Sequence, residues 1–354
     1  MTLASRRRAW LVAAAVLGGV LLVVGVLVPL PYVELSPGPT YNTLGEADGK
    51  PIIAIEDTTT YPTSGNLDLT TVNERGGPGH PVYLGRVIVG WADPSVRVVP
   101  REAFYPDDLD PEDVAAQNTQ MFSDSESDAI AAALHYLHRP VITLTIVSQV
   151  MGGGPSDGKL SAGDVLLAID GVVVREPTTV TDELKKVAPG STVVVKVRPQ
   201  AGGAPRDVSI VTGHAPGDPN RAYLGIGVGT TYKAPFPISV QLGGVGGPSA
   251  GTMLSLGIVD KLTPGELNGG RFVAGTGTIT PDGEVGPIGG IEQKMIGARR
   301  AGATLFLAPE SNCSDVTAGG VPDGLTVAKV STLAGAVSAI EDYVAGRPVT
   351  GCSS

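Results

Sequence analysis

The chain has 354 residues, a net charge of −10 at pH 7 and 42% hydrophobic residues. Its 49 glycines and 29 prolines fall short of the range of disordered chains, so the composition is that of a globular protein of two or three domains. The acidic charge excludes nucleic-acid binding, which needs a basic surface, and argues against adhesion of the folded part to anionic lipid.

The first element is an apolar run that predicts a membrane anchor. Arg6 to Arg8 precede an uncharged run over residues 9–28, which as a helix would measure about 30 Å, the thickness of a bilayer core. The positive-inside rule then predicts a cytoplasmic tail at residues 1–8 and places the rest of the chain outside the cytoplasm. A cleaved signal peptide is the alternative, but the segment lacks an Ala-x-Ala-like cleavage site and the run exceeds a usual signal-peptide core.

The next segment predicts a small β-rich extracytoplasmic region over residues 29–122, because short apolar runs are broken by Gly, Pro and Asp. Its acidic stretch, Asp107 to Asp113, predicts a solvated loop.

Ser123 to Leu137 predicts a helix with a serine cap and an Ala-rich body. His135 and His138 lie three residues apart, but no carboxylate or cysteine stands at metal-ligand spacing, so we predict no metal site.

From Val141 the strand VITLTIVSQV is followed by KLSAGDVLLAIDGVVV, which contains a Gly-Asp turn and an Asp170-Gly171 hairpin. By these features Val141 to Thr212 resembles a PDZ domain. PDZ domains add a peptide as a strand to a sheet edge and bind a terminal carboxylate with backbone N–H groups. The resemblance implies such a loop before the first strand, with His138, Arg139 and Val141 as candidate substrate-binding residues. The alternative is a module that only packs or assembles.

A candidate nucleophile follows in GGVGGPSAGTMLSLGIVDKL, where Ser249 opens an apolar run that predicts a buried helix. Unpaired backbone N–H groups there, near Ser249 and Ala250, favour a developing oxyanion. GPSAG also fits the nucleophile elbow of α/β-hydrolases, in which the catalytic histidine follows the serine. None of the four histidines follows Ser249, so that class is excluded.

Lysine is the other base that serine hydrolases use, and three lysines follow the serine. Lys261 lies roughly 18 Å away along the same predicted helix, which is too far. Lys329 falls at a solvent-facing position of a predicted strand. Lys294 lies on the apolar face of the helix that Gly289 and Gly290 open, where burial can lower its pKa from about 10.4 to the value near 7 that a base needs.

These segments together resemble the proteolytic domain of Lon proteases, from GPSAG through TGTITPDGEVGPIGGIEQKMIGARRAG. The resemblance implies a ribosomal S5 domain 2-like fold, a dyad of Ser249 and Lys294, and a contact of Thr276 with the lysine amine. Gly246 stands where many Lon proteases have an acid. No Walker A pattern occurs, so the Lon ATPase is not predicted in this chain. YPTSGNLDLTTV and GWADPSVRVVPREAFYP are similar to segments of bacterial membrane-anchored proteins that combine a PDZ module with a Lon-like domain.

The two cysteines, Cys313 and Cys352, lie outside the cytoplasm in the predicted topology, where thiols are oxidised. We predict that they form one disulfide, which would fasten the C-terminal tail to the loop after Glu310. Two free thiols are the alternative.

The predicted fold class is α+β multidomain. The predicted segments are a cytoplasmic tail (1–8), a transmembrane helix (9–28), a β-rich region (29–122), a helix with a PDZ domain (123–213), a Lon-like proteolytic domain (222–346) and a C-terminal tail (347–354). We predict a membrane-anchored, ATP-independent serine endopeptidase that needs no cofactor and acts on proteins or peptides with flexible segments. A homo-oligomer, a non-catalytic scaffold and an esterase that uses the same dyad stay open.

Overall fold

The computed structural model describes residues 3–105, 110–199 and 202–352. The chain forms two compact units: Met1–Leu137 with Ile238–Ser354, and His138–Pro237, which is inserted in the chain between the two halves of the first. The outermost residues of the two predicted tails, 1–2 and 353–354, lie outside the described residues. So do residues 107–109 of the predicted acidic loop.

The α-helices of the described residues are, in chain order, α1 (Leu3–Leu27), α2 (Leu84–Ala92), α3 (Pro111–Tyr136), α4 (Pro177–Leu184), α5 (Gly251–Leu262), α6 (Ile291–Ala301), α7 (Cys313–Gly319) and α8 (Leu333–Val344). Short 3₁₀ turns cover Arg101–Ala103 and Glu310–Asn312.

The strands before the inserted unit are β1 (Pro29–Leu30), β2 (Tyr32–Asn42), β3 (Glu46–Ala47), β4 (Lys50–Pro51), β5 (Ile53–Ile55), β6 (Asn66–Arg75), β7 (Val82–Tyr83) and β8 (Arg97–Pro100). Those within it are β9 (Ile142–Val150), β10 (Val165–Ile169), β11 (Val172–Val173), β12 (Thr192–Arg198), β13 (Arg206–Val211), β14 (Gly213–Ala215), β15 (Asp218–Tyr223) and β16 (Ile226–Lys233). Those after it are β17 (Ile238–Val240), β18 (Phe272–Gly275), β19 (Thr278–Ile279), β20 (Val285–Gly286), β21 (Leu305–Pro309) and β22 (Thr326–Val330).

The first unit is built on one sheet with the strand order β22-β21-β18-β6-β2-β8. Strands β6, β18, β21 and β22 run parallel, while β2 is antiparallel to β6 and β8. Parallel strands buried on both faces are nearly continuous in apolar residues, as in β21, whose Leu305–Pro309 is wholly buried. Strands from before and after the inserted unit therefore share one sheet, and the prediction of a separate β-rich region at 29–122 is wrong. The prediction fails because β6 pairs with β18, which is distant in sequence, and no local pattern reveals such pairing.

Helix α3 also belongs to the first unit, where it packs against α5 with the Ala-rich stretch Ala129–Leu134 buried. It begins at Pro111 rather than Ser123, because the Asp110 side chain caps it by accepting the Glu112 N–H at 2.8 Å. The prediction grouped this helix with the PDZ domain at 123–213, whereas its packing in the structure is with the first unit.

The second unit is a sheet of order β13-β12-β10-β9-β16 around an apolar core that includes Val147, Leu166 and Val195. Its last strand, β16, pairs along the whole length of β9. The unit extends to Pro237 for this reason, so the predicted start of the proteolytic domain at residue 222 is too early.

The apolar run near the N-terminus forms helix α1. Within the part of the chain that the structure describes, no helix is both long and apolar enough to span a bilayer. The predicted transmembrane helix at 9–28 stays a prediction.

The C-terminal segment is fixed to the first unit. Cys313 and Cys352 form a disulfide, and Lys329 N–H donates to the Thr350 carbonyl at 2.8 Å beside it. Cys352 packs against the core that holds Ile291 and Met295 of α6. The disulfide thus holds the end of the chain against the helix that carries Lys294.

Candidate active site

The loop before α5 holds Ser249 by its backbone. The Ser249 carbonyl accepts hydrogen bonds from the Gly277 N–H at 3.0 Å and from the Thr276 hydroxyl at 3.1 Å. The Thr252 N–H in turn donates to the Gly277 carbonyl at 3.1 Å. A Cβ on Gly277, whose φ is +152°, would collide with Thr252 Oγ1. Only glycine at position 277 therefore permits the segment between β18 and β19 to approach the loop of Ser249 so closely.

Helix α3 supports the same loop from the other side. Ser125 Oγ donates to the Pro248 carbonyl at 3.0 Å, and the Gly247 N–H donates to the Asn118 carbonyl at 3.0 Å. These bonds fix the residues just before Ser249, whose side chain stays partly exposed. The nucleophile candidate is thus rigidly held and accessible.

Lys294 lies in the first turns of α6, which begins after Gly290 in the left-handed conformation with φ +69°. Its side chain is only 2% exposed, on the same helix as the buried Ile291 and Met295. Desolvation by this burial lowers the pKa of Lys294 from the ordinary 10.5 to about 7. About half of the molecules therefore hold a neutral amine at neutral pH.

Three side chains meet at this point. Lys294 Nζ lies 2.7 Å from Ser249 Oγ and donates to Thr276 Oγ1 at 3.0 Å. The single hydroxyl proton of Thr276 is used on the Ser249 carbonyl, so Thr276 accepts from the amine. A neutral amine that gives one N–H to Thr276 can turn its lone pair to the serine hydroxyl. This is the geometry of a general base on a nucleophile.

The backbone next to the serine offers donors for an oxyanion. Ala250 occupies the N-cap position of α5, and its side chain makes no cap hydrogen bond. Within the described residues the N–H groups of Ser249 and Ala250 donate to no protein acceptor. Both residues line a cavity of about 200 Å³ together with Lys294. The two predicted oxyanion donors therefore lie in the lining of the cavity that Ser249 and Lys294 share.

Family models match two segments of the chain, and known Lon proteases are similar to part of it. Residues 238–340 match the Lon protease (S16) C-terminal proteolytic domain, and residues 121–211 match the PDZ domain. Lon protease 2 of Herpetosiphon aurantiacus is 44% identical over 95 residues, which are 26% of this chain and 11% of that protein. Lon protease 1 of Bacillus subtilis is 44% identical over 70 residues, 20% of this chain and 9% of that protein.

This chain contains a Lon-type serine peptidase domain. The resemblance to Lon proteases and to PDZ domains is thereby confirmed. The chain spans about a tenth of the length of these two relatives. Among solved structures, the PDZ domain of an SdrC-like protein from Listeria monocytogenes is similar at 21% identity and a TM-score of 0.22, covering 24% of this chain and 85% of that chain.

The structure brings residues beside Ser249 that sequence reasoning missed. A second cavity, of about 450 Å³, opens on Ser249 and Lys294, and Leu35, Val72 and Phe104 are among its apolar walls. These three residues come from the chain before the inserted unit, outside the matched range 238–340. No local signal marks them, because only the shared sheet brings β2 and β6 beside the serine.

The predicted PDZ binding residues do not lie at a free sheet edge. His138 sits in the turn after α3 with φ +54°, and Arg139 and Val141 lead into β9. Strand β9 lies between β10 and β16 in the sheet, so it is not the outermost strand. The assignment of His138, Arg139 and Val141 to the binding loop is therefore wrong.

The outermost strand on that side is β16, against which α4 packs. The loop before β16 contains Gly225 with φ +72°, a conformation that can turn successive backbone N–H groups toward an anion. Sequence reasoning missed this edge strand because it ended the PDZ domain at Thr212, before the strand that completes the sheet.

Proposed function

We propose that the chain is an ATP-independent serine endopeptidase, anchored in a membrane, that cuts flexible segments of extracytoplasmic proteins. The observation that supports this best is the contact of a buried lysine with a reachable serine, Nζ to Oγ at 2.7 Å. Burial lowers the pKa of that lysine to about 7, which suits a base at neutral pH.

Acylation follows from this contact. The neutral Lys294 amine takes the Ser249 hydroxyl proton as Oγ attacks the peptide carbonyl carbon, which forms a C–O bond and an oxyanion. The N–H groups of Ser249 and Ala250 stabilise that oxyanion. The Lys294 ammonium then protonates the leaving nitrogen, the C–N bond breaks, and an acyl-serine ester and a new amino terminus result.

Deacylation repeats the sequence with water. Lys294, neutral again, takes a proton from a water molecule that attacks the ester carbonyl. The tetrahedral intermediate collapses, Ser249 Oγ leaves, and it recovers the proton from Lys294. Throughout both steps Thr276 accepts one N–H of the amine, which keeps the lone pair directed at Ser249.

The substrate backbone fits along β6. Strand β18 pairs with β6 only as far as Leu69, opposite Gly275, so the next residues of β6 have no strand on that side within the described residues. Thr70 to Asn73 line the cavity at Ser249. We propose that an extended peptide pairs with this edge, which brings its carbonyl to Ser249.

The adjoining apolar cavity selects a side chain next to the cut. Its volume of about 450 Å³ and its walls of Leu35, Val72 and Phe104 fit an apolar residue such as leucine or phenylalanine. A peptide with an acidic side chain at that position would lose hydration and meet the Glu74 carboxylate, which also lines the cavity.

Capture of substrates by the PDZ module is part of the proposal. A peptide with an apolar C-terminus would add to the outer side of β16, the last strand in the order of this sheet, with its carboxylate at the loop of Gly225. The test compares a protein substrate with a free and with an amidated C-terminus, on the full chain. Amidation should raise KM for the protein and leave a short internal peptide unaffected. Equal KM values for both forms of the protein would contradict capture.

The proposed location rests on α1 and on the disulfide. Among the side chains that the structure describes in α1, apolar ones are exposed rather than packed against protein, for example Trp10 at 77% and Leu11 at 70%. The disulfide of Cys313 with Cys352 fits an oxidising compartment. Protease added to intact protoplasts should remove a C-terminal tag. Protection of the tag until the membrane is lysed would contradict this topology.

Cleavage is tested with the full chain in detergent and quenched fluorogenic peptides, without ATP. Ser249→Ala and Lys294→Met should each lower kcat/KM by about 10³-fold or more. The matched controls are Ser239→Ala, an exposed serine of β17, and Lys261→Met, a second lysine whose pKa burial lowers. A folded Lys294→Met variant with wild-type activity would refute the dyad. Hydrolysis of small esters but of no peptide would indicate an esterase, and a folded wild type inert toward both would indicate a scaffold.

A further inference from the structure

Helix α2 has an apolar outer surface. Its sequence LGRVIVGWA contains one charged residue, Arg86, whose guanidinium is bound to the buried Glu34 carboxylate. Val87 and Gly90 face the core, while Ile88, Val89 and Trp91 are 53, 59 and 63% exposed. A surface helix normally turns a polar face to water, and a contiguous exposed apolar patch marks a binding surface.

The position of α2 indicates what covers it. Helix α1 packs against α2 near its own C-terminal end, where a Cβ on Gly25 would lie 2.9 Å from Leu84 Cδ2. Strand β1, which leaves α1, pairs with β7, which leads directly into α2. The first turn of α2 therefore touches the helix proposed to enter the membrane, at the point where the chain emerges from it.

We propose that α2 lies in the interfacial layer of that membrane, with Ile88, Val89 and Trp91 in contact with lipid. The inference rests on the proposed anchoring by α1. Tryptophan is enriched at membrane interfaces, where its amphipathic ring sits at the headgroup level. A short apolar helix can lie in the interface plane with its outer face in the acyl boundary.

A second copy of the chain is a poorer occupant. Leu84, Ile88, Val89 and Trp91 together expose roughly 400 Å², about half of the area that each partner contributes to a standard interface. Contact with lipid does not need an interface of that area, because α1 already holds α2 at the bilayer surface. The net charge of −10 gives no attraction to anionic headgroups, so the contact is apolar and needs no anionic lipid.

This contact also limits the distance between the active site and the bilayer surface. Phe104, in the wall of the Ser249 cavity, follows Ala92 of α2 by only 12 residues, which span at most about 40 Å even when extended. Cleavage sites within that distance of the bilayer surface are therefore the ones this enzyme reaches, which narrows the substrate class to membrane-proximal segments.

The two tryptophans of the chain provide the test. Trp10→Phe leaves Trp91 as the single fluorophore on α2, and Trp91→Phe leaves Trp10 on α1. Each full-length variant is reconstituted in phosphatidylcholine vesicles with brominated acyl chains, and iodide is the aqueous quencher. We expect bromolipid to lower Trp91 emission at least twofold and iodide to have little effect.

Three results would overturn the inference. If Trp10 responds to bromolipid while Trp91 responds only to iodide, α1 is anchored but α2 faces water. If neither tryptophan responds to bromolipid, the anchoring itself fails, and α2 has no membrane to rest on. If Trp91 is shielded from both quenchers, protein covers α2, and cross-linking then shows whether a second copy does.

Discussion

A carboxylate placed in the cavity that Lys294 lines should shift the pH dependence of cleavage. Gly246 lines the same cavity as Ser249 and Lys294, and it stands where the resemblance places an acid in many Lon proteases. Gly246→Asp would put a negative charge in that cavity. An opposite charge favours the protonated amine, so the pKa of Lys294 should rise.

The magnitude follows from the pKa of about 7 in the present site. The base acts only when neutral, so kcat/KM of the wild type should fall about tenfold for each pH unit below the pKa and level off above it. A rise of the pKa by about one unit leaves roughly one molecule in eleven neutral at pH 7 instead of one in two. Activity at pH 7 should drop about fivefold and recover by about pH 9.

The assay is kcat/KM for one fluorogenic peptide between pH 5 and 9. Gly246→Asn is the matched control, because both side chains meet the Asn118 Cβ, which would lie 3.0 Å from a Cβ at this position. The asparagine variant should keep the wild-type midpoint, whatever its absolute rate. A wild-type rate that does not change between pH 5 and 9 would refute a buried neutral lysine as the base. Equal midpoints for the Asp and Asn variants would refute the rise in the pKa of Lys294.

Three further changes test other parts of the site. Thr276→Val removes the acceptor that orients the Lys294 amine, so kcat should fall by up to about 100-fold with KM unchanged, and a change in KM alone would contradict this role. Cys313→Ser opens a disulfide of sequence separation 39, and urea unfolding should show a loss of about 4 kcal/mol that a reductant reproduces in the wild type; a wild type indifferent to reductant would disprove it. Phe104→Ala enlarges the apolar cavity, so a peptide series should shift in preference toward larger side chains beside the cut, and an unchanged order would exclude Phe104 from selectivity.

Local patterns along the chain were enough to predict the pair of Ser249 and Lys294. Helical periodicity placed Ser249 before α5 and Lys294 on a buried face of α6, and both patterns are local, since neighbours three and four residues apart share a helix face. The elimination of other bases needed only the order of His and Lys along the chain, the length of a helix and the alternation of a strand. The disulfide partners were identifiable because the chain has only two cysteines.

Tertiary structure decided everything that joins distant segments. Strand β6 pairs with β18, and Thr70 Oγ1 donates to the Gly275 carbonyl across 205 residues. Parallel pairing at such a separation leaves no pattern in either strand, so the sequence assigned β6 to a domain of its own. The pKa of Lys294 likewise depends on how completely the first unit excludes water from it, because desolvation is a property of the packed core.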